Sequence, residues 1–421
     1  MQFFEPELVK EVQFRKMKAL VEHAYRTVPY YRELFEASGF VPDDIHGWDD
    51  FLKIPILNKG SIRNNSQQFL SNAPRSRVKP FRTSGSTGIP LTFYLSEMVS
   101  GVSNVSRIRS LKWWGINLGD REIRFWGTNF LLRSGWKNEI QRKISITLKD
   151  WIINRKNLFG SKMDFSDQAL EKYWRTVNRY KPKYILGAST FAYQFAQFLK
   201  RRGFDAGSLE LAAVVSSAEV LYDWQRQFIE GVFDCPVADE YGSSETGVIA
   251  YGHPCGRMHT MDDFLLVEIV KTHRDNEFGE VVVTHLENWD SPLIRYNLQD
   301  LAVPFEGSCG CPVSFSTIDK LIGRKNDLFK LPDGRIVYGY LLSKIINQIE
   351  GIRQYQIVQK QVNLIEISAV VDEHEFSSND EDFIQIEIRR NYGDIRVEFR
   401  KVLILSQDTP NKFRWVRSEV C

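Results

Sequence analysis

Apolar residues recur at helical spacing in three stretches of the chain. Residues 7–38 carry this pattern and predict a helical segment that Pro29 interrupts. Residues 163–202 predict two helices separated at Lys181-Pro182, and residues 221–233 predict another. These stretches are long enough to cover the face of a sheet.

Short apolar runs lie between the predicted helices. Residues 184–187 and 211–216 are almost entirely apolar, which is typical of buried strands. Because helices alternate with these strands, a mainly parallel sheet with covering helices is favoured. The fold class is therefore α/β, with mixed sheets in the large N-terminal part.

After about residue 264 the predicted elements change from alternating helices and strands to mainly strands. Residues 264–270 and 280–284 predict strands on either side of a polar turn, within a β-rich part that covers about 264–320. A helix at 340–350 and strands near 354–371 and 395–405 predict a small α+β domain, with a surface loop at 372–382. We divide the chain into an N-terminal domain, 1–323, and a C-terminal domain, 324–421.

Composition limits the class of protein. The chain has 421 residues, 43% of them hydrophobic, and a net charge of +2, so it is long enough for at least two domains and gives no electrostatic reason to propose nucleic acid as a partner. No apolar run reaches the length of a membrane span, and the charged, amphipathic N-terminus differs from a signal peptide. Five cysteines argue against a disulfide framework. We expect a cytoplasmic protein.

One segment consists almost entirely of small residues, and it reads Arg82-Thr83-Ser84-Gly85-Ser86-Thr87-Gly88-Ile89-Pro90. Its backbone N–H groups and hydroxyls can approach a polyphosphate closely, because no bulky side chain prevents this. The Gly-Lys-[ST] ending of a Walker A loop is absent. A flexible Ser/Gly turn would have the same composition, so this segment alone leaves both interpretations open.

Four further motifs offer the groups that a nucleotide site needs. Residues 239–247 contain the aromatic ring of Tyr241, small hydroxyl residues and the carboxylate of Glu245, which suits a base, phosphate oxygens and Mg²⁺. Asp300 ends an apolar strand and can accept ribose hydroxyls, although a strand-end cap would look the same. Arg324 follows a glycine at the predicted domain junction, and Lys412 lies on a turn where a lysine is usually only solvated.

In their order and spacing, these five motifs resemble the adenylate-forming superfamily, and in particular its phenylacetate–CoA ligase and CapK-like branch. The resemblance extends from about residue 80 to the end of the chain. It implies a large N-terminal domain with ATP and carboxylic-acid pockets, and a small, mobile C-terminal α+β domain.

The resemblance also implies roles for individual residues. It implies a phosphate loop of Thr83, Ser84, Gly85, Ser86, Thr87 and Gly88. It implies nucleotide contacts around adenine from Ser217, Ala218, Glu219, Tyr241, Gly242, Ser243 and Ser244. Asp300 would bind the ribose hydroxyls, and Arg324 would contact ribose or phosphate. Thr83, Glu245 and Lys412 would be catalytic, with Mg²⁺ on Glu245 and the Lys412 ammonium on the acid and the phosphate.

The chain departs from the family pattern at three positions. Ile89 stands where relatives usually carry lysine, which removes a potential phosphate contact. Asn326 lies at the hinge, where aspartate is common, and Asn411 precedes Lys412 in place of glycine. Because Lys412 keeps the cation, these differences do not by themselves abolish the chemistry of the family.

The implied activity is ATP-dependent activation of a carboxylic acid as an acyl-adenylate, followed by transfer of the acyl group to CoA. Two alternatives stay open: an amide-forming ligase that uses an amine or amino sugar in polysaccharide biosynthesis, and a nucleotide-binding scaffold without turnover. Phe125, Trp126, Phe130 and Phe191 are candidates for the lining of the acid pocket. Relatives often form homodimers, but neither the oligomeric state nor the acid is readable from the chain.

Cysteine and histidine residues flank the β-rich part in two short spacings. Cys255 and His259 are four positions apart, and Cys309 and Cys311 are two apart. Together they offer a Cys₃His set for a structural zinc ion, with His253 as a competing ligand. Buried reduced thiols are the alternative.

Overall fold

The structure is a computed structural model that describes residues 1–82, 91–126, 150, 152–158, 164–271, 277–349, 351–405 and 414–420. The predicted phosphate loop, Ile89, Phe130 and Lys412 lie outside these residues. The chain divides into two compact units. Unit 1 comprises Met1–Leu298 and Ala302–Leu321, and unit 2 comprises Gln299–Leu301 and Ile322–Cys421.

The described helices of unit 1 include five in the three stretches with the predicted apolar pattern and three that the pattern did not predict. They are α1 (Pro6–Thr27), α2 (Pro29–Ser38), α3 (Trp48–Phe51), α4 (Lys59–Asn65), α5 (Glu97–Trp113), α6 (Asp167–Tyr180), α7 (Ser189–Arg201) and α8 (Asp223–Phe233). Pro29 occupies the first position of α2, where a missing N–H costs nothing, so it ends one helix and begins the next. Short 3₁₀ turns occur at Pro42–Asp44, Ser66–Phe69 and Gly207–Leu209.

The strands begin with a hairpin of β1 (Val78–Arg82) and β2 (Thr92–Ser96). The main sheet contains β3 (Glu122–Phe125), β4 (Arg155–Asn157), β5 (Tyr184–Gly187), β6 (Ala213–Ser217), β7 (Val237–Ser243), β8 (Gly247–Gly252), β9 (Met258–Thr260), β10 (Leu265–Val270), β11 (Gly279–His285), β12 (Tyr296–Pro304) and β13 (Thr317–Arg324). Its spatial order is β10-β11-β12-β13-β9-β8-β7-β6-β5-β3-β4.

One end of this sheet is parallel and the other contains antiparallel pairs. Strands β4, β3, β5, β6 and β7 pair in parallel, as the alternation of strands and helices predicts. From β7 onward, β8, β9 and β13 pair antiparallel in turn, and β10 pairs antiparallel with β11. The predicted β-rich part is thus a continuation of the same sheet. The mixed α/β fold class is confirmed.

Both faces of the parallel part are buried. Leu186 and Val215 belong to a core that includes Met17 and Leu20 of α1, whereas the adjacent Ile185 and Val214 belong to the core beneath α6 and α7. Successive residues of a strand point to opposite faces, so a strand that is covered on both sides must be apolar throughout. This explains why the 184–187 segment is an uninterrupted apolar run.

Unit 2 contains β14 (Leu328–Lys330), β15 (Ile336–Tyr338), α9 (Tyr340–Ile346), β16 (Ile352–Gln361), β17 (Leu364–Val371), α10 (Ser378–Tyr392), β18 (Arg396–Lys401) and β19 (Val416–Ser418), with a 3₁₀ turn at Lys325–Asp327. Its four-stranded sheet has the order β18-β17-β16-β19. No helix in the described parts of the chain is long and apolar enough to cross a membrane.

The surface loop predicted at 372–382 is wrong in its second half, because α10 begins there. The carboxylate of Asp380 accepts hydrogen bonds from the backbone N–H and the hydroxyl of Ser377, at 2.8 and 2.7 Å. A serine followed three residues later by an acidic residue is a helix-capping pattern. The polarity of the segment therefore belongs to the start of a helix.

Candidate active site

The β7–β8 hairpin carries the motif at residues 239–247, and two glycines make its shape possible. A Cβ atom at Gly242 would lie 2.6 Å from the carbonyl oxygen of Gly247. Gly247 has a φ of +76°, and a Cβ there would lie 2.5 Å from that of Ser103 on α5. Only glycine fits both positions without displacement of the backbone. The hairpin therefore packs tightly on α5 and holds the turn in one place.

Hydroxyl groups shape the turn itself. The Ser243 hydroxyl accepts hydrogen bonds from the N–H groups of Glu245 and Thr246, at 3.2 and 3.1 Å, and lies 3.0 Å from the Thr246 hydroxyl. Ser244 is exposed at the tip. Ser243 thus forms the turn, whereas the Ser244 side chain is accessible to a ligand.

Glu245 is a largely buried carboxylate, only 7% exposed. Its Oε1 accepts a hydrogen bond from the hydroxyl of Tyr296, which begins β12, at 3.3 Å. Tyr241, also buried, lies on the same hairpin. A carboxylate with nearby hydroxyl oxygens is a donor set that suits Mg²⁺, which prefers hard oxygen ligands.

A buried ion pair lies at the base of the same hairpin. The guanidinium of Arg107 on α5 donates to both oxygens of Glu240, at 2.5 and 2.6 Å, and the Ser217 hydroxyl donates to Glu240 Oε1 at 2.9 Å. Burial alone would raise the pKa of Glu240, but the charge and hydrogen bonds of Arg107 hold it below its ordinary value. This forked pair ties β6 and β7 to α5.

Neither Arg107 nor Tyr296 was identified from the sequence. Arg107 lies 133 positions before Glu240, and nothing in its local sequence distinguishes it from an exposed helical arginine. Tyr296 lies four positions before Asp300, and nothing in its local sequence links it to Glu245. The acidic pair Asp239-Glu240 in a buried strand was the available signal, because buried carboxylates require partners.

The pKa of Asp239 is shifted in the opposite direction from that of Glu240. Burial raises the pKa of Asp239 to about 7, with the charge of Arg226 acting in the opposite direction. Because the folded chain holds this proton more tightly than the unfolded chain does, ionisation of Asp239 destabilises the fold. Stability therefore falls as the pH rises from about 4 through about 7.

Asp239→Asn is expected to remove this pH-dependent penalty. At pH 8 the variant should have a higher free energy of unfolding than the wild type, by up to about 4 kcal/mol for a pKa shift of roughly three units. At pH 4 the two proteins should be nearly equal. Urea unfolding at both pH values measures this difference, and an equal difference at the two would contradict a raised pKa.

The predicted adenine-side residues Ser217, Ala218 and Glu219 directly follow or end β6. Ala218 has a φ of +71°, which turns the chain sharply. Glu219 Oε2 accepts a hydrogen bond from the N–H of Thr190 at 3.1 Å, and thereby caps the first turn of α7. Two of the three side chains therefore form protein contacts, with Ser217 bound to Glu240.

In unit 2, Asp300 and Arg324 lie near each other. Arg324 Nε is 3.7 Å from Asp300 Oδ1, and both side chains are partly exposed. The backbone N–H of Arg324 donates to Asp327 Oδ2 at 2.9 Å, and Asp327 also pairs with Arg414. The Gly-Arg segment is thus linked to the residue that lies two positions after Lys412.

The aromatic residues predicted to line an acid pocket include two that the structure places in the core. Phe125 and Phe191 are each 1% exposed, and their ring centroids are 4.1 Å apart. Phe195 packs on both. Phe125 ends β3, a strand that is covered on both faces, and Phe191 lies in the first turn of α7, so both side chains belong to the core beneath α6 and α7.

The predicted metal ligands come together in unit 1. His259 lies in β9 and is fully buried, and the sulfur atoms of Cys255, Cys309 and Cys311 lie 3.8, 3.6 and 3.3 Å from its Nε2. His253, Cys255, His259 and Cys311 also place one ligand atom each within 4.8 Å of one another. The structure therefore brings together all four cysteine and histidine residues of the predicted set.

Comparison with known proteins gives consistent results. Residues 329–419 match the family model for the CapK C-terminal domain. The chain is 25% identical over 332 residues to a phenylacetate–coenzyme A ligase of Aromatoleum evansii, covering 76% of this chain and 71% of that protein. It is 22% identical over 392 residues to protein CapK of Staphylococcus aureus, covering 91% and 83%.

The fold has counterparts among solved structures. A 2-hydroxyisobutyryl-CoA ligase in the postadenylation state superposes with a TM-score of 0.76 at 17% identity, covering 97% of this chain and 89% of that chain. At this identity the similarity concerns the fold. Taken with the C-terminal match, the relatives and the order of the motifs, it confirms the resemblance of this chain to the adenylate-forming ligases of the phenylacetate–CoA ligase and CapK branch.

Proposed function

We propose that this ligase uses ATP to convert a carboxylic acid into an acyl-adenylate and then passes the acyl group to the thiol of CoA. The β7–β8 turn carries the proposal, since it presents the largely buried carboxylate of Glu245 beside hydroxyl groups. The CoA ligases among the relatives support the acceptor.

The chemistry requires activation because a carboxylate is a poor electrophile. Attack of a carboxylate oxygen on the α-phosphorus forms an acyl–phosphate bond and releases pyrophosphate. The thiol then attacks the acyl carbon and releases AMP, a weaker base than oxide. The main barrier is the approach of two anions, so catalysis depends on cationic groups and hydrogen-bond donors around the phosphates.

In this proposal the motif residues supply those cationic groups and hydrogen-bond donors. The segment from Thr83 to Gly88 donates to phosphate oxygens, and Lys412 neutralises charge on the acid and the α-phosphate. Glu245 is the ligand for Mg²⁺, which supplies positive charge near the phosphates when bound. The N-terminal domain at 1–323 would carry the ATP and acid sites, and the domain at 324–421 would move between the two half-reactions.

The remaining nucleotide contacts lie around the base and the sugar. Tyr241 packs along adenine next to Gly242, and Ser217 to Glu219 form the opposite side of the base. Asp300 accepts the ribose hydroxyls. Arg324, which lies 3.7 Å from Asp300, contacts ribose or phosphate in this proposal. We further expect a cytoplasmic location, which rests on the cysteine content.

The test is acid-dependent exchange of radiolabelled pyrophosphate into ATP, measured with the full chain, Mg²⁺ and a panel of aryl and short acyl acids. Exchange that requires an acid is expected, because adenylation is reversible. Mass spectrometry after addition of CoA should then show an acyl-CoA thioester. Reactions without acid and with AMP in place of ATP are the controls.

Two results would contradict this proposal. An amide product with an amine or amino sugar, without a thioester from CoA, would identify the alternative acceptor. ATP binding without exchange across the whole panel would favour a scaffold that lacks turnover. The two results are distinguishable because the first retains exchange and the second does not.

A further inference from the structure

Two sharp turns bring the cysteine and histidine residues of unit 1 together. Cys255 lies in the connection between β8 and β9, and Cys309 and Cys311 lie in the connection between β12 and β13. Gly256 and Gly310 have φ values of +85° and +72°, which lets each connection reverse direction beside a cysteine. Both connections therefore direct sulfur atoms toward His259 on β9.

The distances between these atoms fit a tetrahedral metal centre. With Zn–S bonds of about 2.3 Å and a Zn–N bond of about 2.0 Å, tetrahedral geometry places each sulfur about 3.5 Å from the histidine nitrogen. The three observed distances from His259 Nε2 are 3.8, 3.6 and 3.3 Å. The sulfurs of Cys309 and Cys311 are 3.1 Å apart, so they must separate by about 0.7 Å to reach the spacing of about 3.8 Å expected across zinc.

The histidine presents the correct nitrogen to the sulfur atoms. Its Nδ1 lies 3.0 Å from the carbonyl oxygen of Phe315. A carbonyl can only accept a hydrogen bond, so Nδ1 carries the proton and Nε2 has a free lone pair. A backbone carbonyl that orients a histidine in this way is typical of structural metal sites.

Cys309 and His253 compete for the fourth ligand position, since His253 also has a ligand atom within 4.8 Å of those of Cys255, His259 and Cys311. The Nδ1 atom of His253 accepts a hydrogen bond from the backbone N–H of Cys255 at 3.1 Å, which leaves only its Nε2 for a metal. The Cys309 sulfur, in contrast, lies within 3.6 Å of both His259 Nε2 and the Cys311 sulfur. Three cysteines and one histidine form a set that zinc prefers.

We propose that Cys255, His259, Cys309 and Cys311 bind one structural Zn²⁺ ion that joins the β8–β9 connection to the β12–β13 connection. Four protein ligands leave no open position, so the ion takes no part in catalysis. This inference does not depend on the proposed ligase activity.

Residues that closely follow Cys311 also contact the N-terminal segment of the chain. The backbone N–H of Ser314, three residues after Cys311, donates to the carbonyl of Gln2 at 2.9 Å. Val313 and Phe315 pack on Val9 of α1. Zinc should therefore stabilise the attachment of the N-terminal segment to the sheet, and its loss should lower the melting temperature.

The test is the zinc content of the full chain, purified in reducing buffer without chelator and measured by plasma mass spectrometry. About one Zn²⁺ per chain is expected for the wild type, and less than about 0.2 for Cys309→Ala and Cys311→Ala. His253→Asn is the matched control and should retain the ion. Wild type free of zinc after incubation with a zinc salt would overturn the proposal. Loss in His253→Asn with retention in Cys309→Ala would overturn the ligand assignment.

A second measurement does not depend on whether the variants fold. Replacement of the ion by Co²⁺ in the wild type should produce the visible bands of a tetrahedral centre together with thiolate-to-cobalt charge-transfer bands. Removal of zinc with a strong chelator should lower the melting temperature by at least about 5 °C. Octahedral cobalt bands, or an unchanged melting temperature after complete removal of zinc, would contradict a structural Cys₃His site.

Discussion

Glu245→Gln is expected to lower the rate of acyl-adenylate formation by about 10²–10³-fold, the typical cost of one lost electrostatic contact in a transition state. Glutamine keeps the shape of the side chain and can still accept the hydrogen bond that Tyr296 donates to the glutamate, at 3.3 Å. The β7–β8 turn should therefore be preserved, because the Ser243 hydroxyl still accepts the hydrogen bonds that the backbone N–H groups of residues 245 and 246 donate. What is lost is the negative charge that would bind Mg²⁺.

Pyrophosphate exchange measured over a range of Mg²⁺ concentrations separates this role from a merely structural one. We expect the variant to need more Mg²⁺ for half-maximal exchange, while its melting temperature stays close to that of the wild type. Tyr296→Phe keeps the charge and removes only the hydrogen bond, so it should reduce exchange by much less. Glu11→Gln, at an exposed carboxylate on α1, should behave like the wild type.

An unchanged Mg²⁺ dependence in Glu245→Gln would contradict the assignment of Glu245 as the ligand for that ion. A loss of exchange that accompanies a large drop in melting temperature would instead show that the carboxylate supports the hairpin. The Mg²⁺ dependence of exchange and the melting temperature, taken together, therefore decide between a catalytic and a structural role for Glu245.

Arg295→Ala is expected to lower the free energy of unfolding by about 3–5 kcal/mol, the usual cost of removing one partner of a buried ion pair. Arg295 is only 6% exposed. Its guanidinium donates to both carboxylate oxygens of Glu268 on β10, at 3.2 and 2.8 Å, and to the carbonyls of Leu52 and Ile54, each at 2.6 Å. The substitution would leave a carboxylate, the buried carbonyl of Ile54 and the partly buried carbonyl of Leu52 without these partners.

Urea unfolding of the full chain measures the change in the free energy of unfolding. Two further variants serve as comparisons. Arg295→Lys keeps the charge but not the forked geometry, so it should recover only part of the stability. Arg175→Ala removes an exposed arginine that pairs with Glu171 one turn away on α6, and we expect no measurable change. Equal effects of Arg295→Ala and Arg175→Ala would contradict a structural role for the buried pair.

Several helices and strands were predictable because they follow local patterns. The apolar run at 184–187 became β5 with the same bounds, and the proline at position 29 separates α1 from α2. Such features depend on side-chain spacing and on the missing N–H of proline, which are properties of neighbouring residues. The start of α10 was also readable from Ser377 and Asp380, but the polarity of the segment obscured it.

The motifs that identify the family were equally local. Small residues near position 85, the sequence from Asp239 to Gly247 and the lysine at position 412 occur in an order that adenylate-forming ligases share. The comparisons confirm this resemblance. The roles of the individual motif residues stay predictions, which the exchange experiments test.

The sequence by itself therefore determined the fold class, the family resemblance and the chemical types of residue available to a site. Only the tertiary structure decided which of these residues meet: Arg107 with Glu240, Tyr296 with Glu245, and His259 with cysteines that lie about 50 residues away. The physical reason is that burial, pKa and metal geometry depend on groups from distant segments. Local spacing specifies which elements form, and the packing of the sheet specifies which side chains come into contact.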